Sequence, residues 1–167
     1  MATEAEKIFR RILGQLERKT VLDIGCGPEK IVTWALSVDH HFKADIKADV
    51  SPDSGQLKKA LDGHRFDVVF SSHTIEHLRS PLLETIKYWF SFVKPGGELI
   101  LYLPDESRYV FSPASPRLRN PEHFHYLTPS TFRWYLEQVQ GIGPIMIEED
   151  PVVHNRYSFL VFAGKPL

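Results

Sequence analysis

The sequence predicts an α/β fold, a mostly parallel sheet with an antiparallel pair at one edge, trimmed in its first half. Three observations carry this. Thr20-Val21-Leu22-Asp23-Ile24 is a β-rich run stopped by Gly25-Cys26-Gly27-Pro28, and a buried strand that ends in a glycine turn is where open α/β sheets keep their ligands. Between residues 54 and 103 strand-like and helix-like patterns alternate, as they do along a parallel sheet. Two further strand-like runs, Ile142 to Glu148 and Arg156 to Ala163, are separated only by Glu149 to Asn155. That is too short for a parallel crossover, so they form an antiparallel pair at a sheet edge.

Residues 1–18 hold an amphipathic helix, with Ile8, Phe9, Ile12, Leu13 and Leu16 at helical spacing and Glu4, Glu6, Arg10, Arg11 and Glu17 facing elsewhere. After the glycine turn, a run from Trp34 to Val38 ends on Asp39. Another, Ala44 to Val50, carries Asp45 and Asp49 before Ser51-Pro52-Asp53 breaks it. The stretch from Gly27 to Ser51 cannot hold two ordinary strands and two crossover helices, so at least one helix is missing. A short helix from about Ser54 to Leu61 follows, then a strand Phe66 to Ser71 and a helix from about Pro81 to Phe92. Lys94-Pro95-Gly96-Gly97 turns the chain into a strand Glu98 to Leu103. Pro104 to Pro129, rich in Pro, Arg and His, reads as a long lid loop over the strand ends. The last helix runs from about Pro129 to Val139, opened by Thr128 as cap and Pro129 at its first position.

A chain of 167 residues suits one domain, 1–167. With 43% hydrophobic and 25% charged residues, 20 Lys+Arg against 21 Asp+Glu and a net charge of -1, disorder and fibres are excluded. No run of Lys or Arg marks a nucleic-acid or membrane-surface footprint, so a small molecule is the expected partner and nucleic acid is not. The single cysteine, Cys26, forms no intramolecular disulfide, and Met-Ala-Thr-Glu-Ala-Glu lacks the basic and apolar regions of a secretory signal. No apolar stretch approaches the ~20 residues that cross a bilayer. The expected location is cytoplasmic, with no membrane partner.

Candidate chemistry concentrates at the predicted strand ends. Gly25 and Gly27 let a ligand approach the backbone, and Asp23 can receive a ligand ammonium. Asp39 ends the next run, where a carboxylate can accept both hydroxyls of a ribose, and Asp49 is placed to accept from an exocyclic amine. In the lid, His123 and His125 alternate and offer a general base. Arg108, Arg117 and Arg119 add a local positive patch.

Val21-Leu22-Asp23-Ile24-Gly25-Cys26-Gly27 resembles motif I of the class I S-adenosylmethionine-dependent methyltransferases. Phe66-Asp67-Val68-Val69-Phe70-Ser71-Ser72-His73-Thr74-Ile75-Glu76-His77-Leu78 resembles their fourth strand and following turn, and Lys94-Pro95-Gly96-Gly97 with Glu98-Leu99-Ile100 their turn into strand five. Pro121 to Pro129 is similar to the His-rich lid of small-molecule members. The resemblance implies a doubly wound, Rossmann-like, mostly parallel sheet with an antiparallel last strand, binding S-adenosylmethionine across the carboxyl ends of strands one and four. Asp23, Gly25 and Gly27 would hold its methionine part, Asp39 the ribose and Asp49 the adenine edge, with Ser72 and His73 near the sulfonium. The methyl would pass to oxygen or nitrogen of a small molecule, with His125 or His123 as base. Two departures stand out: Glu29 occupies the place of a third glycine, and the helix after motif I is missing. Because short members with Gly-Cys-Gly-x-x-Lys run directly into strand two, Asp39 is chosen over Asp45 for the ribose.

Rival readings are weaker. A nicotinamide site wants Gly-x-Gly-x-x-Gly opening a helix, whereas Lys30 stands at the third glycine position and Pro28 precedes it. His73-Thr74-Ile75-Glu76-His77 matches the His-x-x-Glu-His zinc-peptidase pattern, but that needs a helix through both histidines. A zinc hydrolase using His73, Glu76 and His77 is therefore an alternative only, and no metal is expected. The Asp/Asn-Pro-Pro-Tyr/Phe signature of base-amino methyltransferases is absent. A non-catalytic adaptor of the same fold, with Phe111, Phe124 and Tyr126 exposed on the lid, is the other alternative.

Overall fold

The computed structural model describes residues 4–108, 120–149 and 157–167. In chain order the elements are α1 (Glu4–Leu16), β1 (Val21–Ile24), β2 (Leu36–Asp39), β3 (Ile46–Lys47), α2 (Gln56–Leu61), β4 (Phe66–Ser72), a 3₁₀ turn (Ile75–His77), α3 (Leu82–Phe90), β5 (Val93–Pro104), α4 (Pro129–Glu137), β6 (Ile145–Glu149) and β7 (Ser158–Gly164). The strands form one seven-stranded sheet in the order β3-β2-β1-β4-β5-β7-β6. Pairs among β1 to β5 are parallel, and β7 is antiparallel to both β5 and β6. The doubly wound α/β expectation stands, with β7 inserted between β5 and β6.

Strand alternation divides the core. Leu22, Val69, Leu101 and Val161 face α2, α3 and α4, which supply Leu57, Ile86, Trp89, Phe132 and Leu136. Val21, Val68, Ile100 and Leu160 face Ile8, Ile12 and Leu16 of α1. The trimming falls on this second face. Neither connection β1 to β2 nor β2 to β3 carries a helix, and Ile31, Val32 and Ala35 of the first connection cover the sheet instead.

Local chemistry explains the boundaries. Thr128 caps α4 reciprocally with Thr131, its side chain accepting from Thr131 N at 3.2 Å while Thr128 N donates to Thr131 Oγ1 at 2.9 Å. Lys94 to Gly97, expected as a turn before the strand, is a looped-out irregularity inside β5: Val93 pairs with Phe66 and Glu98 with Val68. Gly97 is required there because a Cβ would lie 2.6 Å from the Asp67 carbonyl oxygen.

Within the expected lid, Pro104 closes β5, while Phe111, Arg117 and Arg119 lie outside the described residues. Arg108 pairs with Glu149 at 3.0 Å and Asp105 at 3.5 Å, so its charge serves these neighbours. The segment from Asn120 to Leu127 docks on the β4 side: Phe124 N donates to the Glu76 carbonyl at 2.7 Å, and Glu106 N to that of Leu127 at 2.8 Å. Phe124 and Tyr126 are exposed. Among the described residues no helix is long and apolar enough to cross a membrane.

Candidate active site

At the carboxyl ends of β1, β2 and β4 lies a cavity of about 490 Å³, a size that suits a small organic ligand. Asp23, Gly25, Gly27, Asp39, Asp49, Ser72 and His73 all line it. These are the seven residues the sequence marked for the cofactor. The topology explains the convergence, since β1 has β2 on one side and β4 on the other, so the three strand ends open onto one crevice.

Gly25 has φ +68°, and a Cβ on it would meet Thr74 Oγ1 at 2.3 Å. The glycine is what lets the turn after β4 close over the end of β1. At Gly27, φ +62°, nothing lies within 4 Å of an added Cβ. The turn's amides are mostly engaged: Gly25 N and Cys26 N donate to the Val38 carbonyl at 2.8 and 3.4 Å, and Gly27 N to Asp39 Oδ2 at 3.0 Å. What the turn offers a ligand is therefore a floor without side chains at Gly27.

Asp23 is 2% exposed, on the sheet face where the missing helix would pack. Its Oδ2 accepts from Ile31 N at 2.7 Å. Burial pushes its carboxyl up to about 7 against that hydrogen bond and the pull of Lys30, with Asp39 adding repulsion. A cationic ligand group beside Asp23 would relieve this penalty. Asp39 gathers the neighbouring backbone, its Oδ1 accepting from His41 N at 2.8 Å and Phe42 N at 2.9 Å. Asp45 is tied to Lys30 at 2.5 Å and to Ser37 N at 2.9 Å, and does not line the cavity. Asp49 Oδ1 accepts from Ser51 N at 2.8 Å. Ser72 Oγ is buried in the lining without a hydrogen-bond partner, which marks it for a ligand. Burial, then repulsion from Asp23 and Asp39, raises the Cys26 thiol to about 11, so it is inert at neutral pH.

The two candidate bases sit elsewhere. His123 is buried, its Nδ1 against the Glu106 carboxylate and its Nε2 3.1 Å from Asn120 Nδ2. His125 Nε2 lies 3.0 Å from the Ser80 carbonyl. Neither lines the cavity. His40, His41, Phe42, Thr74, His77 and Leu78 do, and sequence reasoning did not place them there. Their one sequence signal was position, within three residues after Asp39 or six after Ser72. Between the two histidines only Ile75–His77 form a 3₁₀ turn, and His73 stands before it at φ +45°, so the two histidines do not share a helix face and the zinc-peptidase geometry is not formed.

A family profile described as a methyltransferase domain matches residues 1–140. The chain belongs to that methyltransferase family. A tRNA U34 carboxymethyltransferase of Hydrogenovibrio crunogenus is 28% identical over 153 residues, covering 78% of this chain and 44% of the relative. One from Pseudoalteromonas atlantica is 29% identical over 108 residues, covering 52% and 32%. The methyltransferase thus spans less than half the length of these curated relatives. A solved S-adenosylmethionine-dependent methyltransferase from Archaeoglobus fulgidus shares the fold with TM-score 0.70 at 19% identity, over 96% of this chain and 92% of that one. The expected methyltransferase class stands with the family, and the expected fold with a neighbour that is itself named as S-adenosylmethionine-dependent.

The partner expectation does not stand. Both curated relatives are named for tRNA, against a small-molecule acceptor and against the exclusion of nucleic acid. The exclusion rested on the lack of any run of Lys or Arg and on a balanced whole-chain charge sum. Phosphate contacts depend on where individual Lys and Arg side chains lie, which that sum does not record.

Proposed function

We propose that this methyltransferase domain holds S-adenosylmethionine in the cavity above β1, β2 and β4 and transfers its methyl group to a nucleoside of RNA. The observation that carries the cofactor part is the convergence of Asp23, Asp39 and the unpartnered Ser72 hydroxyl on one cavity floored by Gly27. Asp23 would receive the ammonium of the methionine part, exchanging a protonated buried carboxyl for an ion pair. Asp39, already organised by three backbone N–H groups, would accept from the ribose hydroxyls. Asp49 would meet the adenine amine, and Ser72 and His73 the sulfonium end. The sulfonium supplies the leaving group. The chain contributes placement of the acceptor atom in line and exclusion of water. Since neither His123 nor His125 lines the cavity, we assign neither as base.

The RNA acceptor follows the names of the curated relatives. Incubation of the protein with bulk tRNA and S-adenosyl-[methyl-³H]methionine tests it. Radioactivity in nuclease-sensitive material supports the reading. No transfer to tRNA by protein that binds S-adenosylhomocysteine removes the acceptor and keeps the cofactor.

A further inference from the structure

The turn after β4 and the docked lid segment bring together three groups that the cofactor reading does not use as a set. Glu76, His77 and His123 each present a ligand atom, all within 4.8 Å of one another, the one such His/Cys/Asp/Glu group among the described residues. Glu76 is fully buried, and neither carboxylate oxygen meets a donor in good hydrogen-bond geometry; against burial, the neighbouring His73 ring, a backbone contact and His77 hold its carboxyl below the usual range. Its nearest basic atoms are His73 Nδ1 at 3.4 Å and His77 Nε2 at 3.9 Å. A buried carboxylate without hydrogen bonds is costly, and a cation is what removes the cost.

The imidazoles are oriented for that cation. His77 Nδ1 lies 3.1 Å from the Glu122 carbonyl, to which only N–H can donate, so its Nε2 faces Glu76 as a lone pair. His123 Nδ1 contacts the Glu106 carboxylate, the same arrangement on the other ring. Metal-bound histidines characteristically donate their second ring N–H to a carbonyl or carboxylate. The His77 and His123 rings meet edge to face at 4.8 Å. His123 Nε2 has Asn120 Nδ2 as its present neighbour, which an incoming ion would displace. Tetrahedral ligands about 2.1 Å from a metal lie about 3.4 Å apart, so closure asks for side-chain rotations of about an ångström.

We infer that Glu76, His77 and His123 form a divalent transition-metal site, with Zn²⁺ the fitting ion, at the edge of the cavity. Two imidazoles and one carboxylate select borderline ions over Mg²⁺ or Ca²⁺. His77 both belongs to the triad and lines the cavity, which leaves the fourth position open on that side. Occupation of that position by an acceptor oxygen rests on the transferase reading, whereas binding of the ion does not. The site differs from the His73, Glu76, His77 set of the sequence pattern in taking His123 from the lid, while His73, off the helical face at φ +45°, stays beside Glu76 at 3.4 Å.

The test uses the full chain, stripped with a chelator, titrated with Zn²⁺ by calorimetry and with Co²⁺ by absorption spectroscopy. We expect one equivalent of each, sub-micromolar for Zn²⁺. The Co²⁺ spectrum should show d–d bands and no thiolate charge-transfer band. His77→Ala, at the most exposed of the three side chains, should lower the affinity about 100-fold or more, since loss of an outer-shell partner alone costs 10–100-fold. Glu76→Gln should do the same if it folds. Absence of stoichiometric binding to the wild type overturns the site. So does undiminished binding in His77→Ala, or a charge-transfer band implicating Cys26. S-adenosylhomocysteine titrated into the same stripped protein reports separately on the cofactor: its failure with zinc retained sinks the cofactor reading and leaves the metal site standing.

Discussion

Asp23→Asn, compared with the wild type across pH, probes the cofactor site through the fold itself. In the free protein burial raises the Asp23 carboxyl from 3.8 to about 7. The native state therefore keeps a proton that the unfolded chain has released, and stability falls as pH rises from about 4 through about 7 and is level above that. A shift of about three units corresponds to about 4 kcal/mol. Asparagine keeps an oxygen for Ile31 N and cannot ionise. Urea denaturation at about pH 5 and pH 8 should find the variant gaining on the wild type by most of that amount at the higher pH. Ligand affinity reverses the preference. If the ammonium of S-adenosylhomocysteine pairs with ionised Asp23, binding expels the proton, and at pH 6, about one unit below the free pKa, affinity should be about tenfold weaker than at pH 8. In Asp23→Asn the ligand should bind weakly and with a flatter profile, so the difference between the two proteins isolates the contribution of this carboxyl. Parallel stability curves for wild type and variant would refute the buried, protonated carboxyl. Wild-type affinity that ignores pH would refute its pairing with the ammonium.

Two further perturbations separate ligand contacts from scaffold. Asp39→Ala removes an acceptor for three backbone N–H groups and for the proposed ribose contact; loss of one charge-assisted bond worth about 1.5–3 kcal/mol should weaken S-adenosylhomocysteine roughly 10- to 150-fold by calorimetry. An unchanged Kd removes Asp39 from the site. Gly25→Ala forces a Cβ to 2.3 Å from Thr74 Oγ1 at φ +68°, whereas Gly27→Ala meets open space at a similar φ. Both carry the left-handed cost of about 1 kcal/mol, and Gly25→Ala adds about 1–3 kcal/mol of overpacking. Denaturant midpoints should order wild type, Gly27→Ala, Gly25→Ala; equal midpoints for the two variants would show that Thr74 yields freely.

The sheet was legible because each strand announced itself locally. Val21 to Ile24 and Phe66 to Ser71 are apolar runs with abrupt ends, and a parallel sheet collects such ends on one side. That made Asp23, Asp39 and Ser72 neighbours before any contact was visible. The choice of Asp39 over Asp45 rested on the resemblance to short members in which strand two follows motif I almost directly. Asp45 falls outside the cavity because Lys30 and Ser37 claim it, a contact the sequence does not display. The interior irregularity of β5 was hidden for a related reason. Lys-Pro-Gly-Gly reads as a turn locally, and only the pairing of Val93 with Phe66 makes it part of the strand.

The lid shows where local reading fails and why. His-x-His in an extended segment places both rings on one side, which suggested a base facing the substrate. The structure instead turns the segment by backbone bonds: Phe124 N donates to the Glu76 carbonyl at 2.7 Å, while Glu106 accepts the His123 ring. These partners lie 17 and more residues away in sequence, beyond any periodicity. The docking that withdraws His123 from the cavity is what brings it to Glu76 and His77. A carboxylate fully buried beside two imidazoles has two physical resolutions, a proton on an imidazole or a metal ion between them. The ring orientations fit the ion, since His77 and His123 both direct Nδ1 at oxygen acceptors and keep Nε2 to ligate, His123 once Asn120 is displaced from it. The lid of this methyltransferase is thereby tied to the turn that carries Ser72 and His73, and an ion bound there would hold the cavity's rim in place while the acceptor enters.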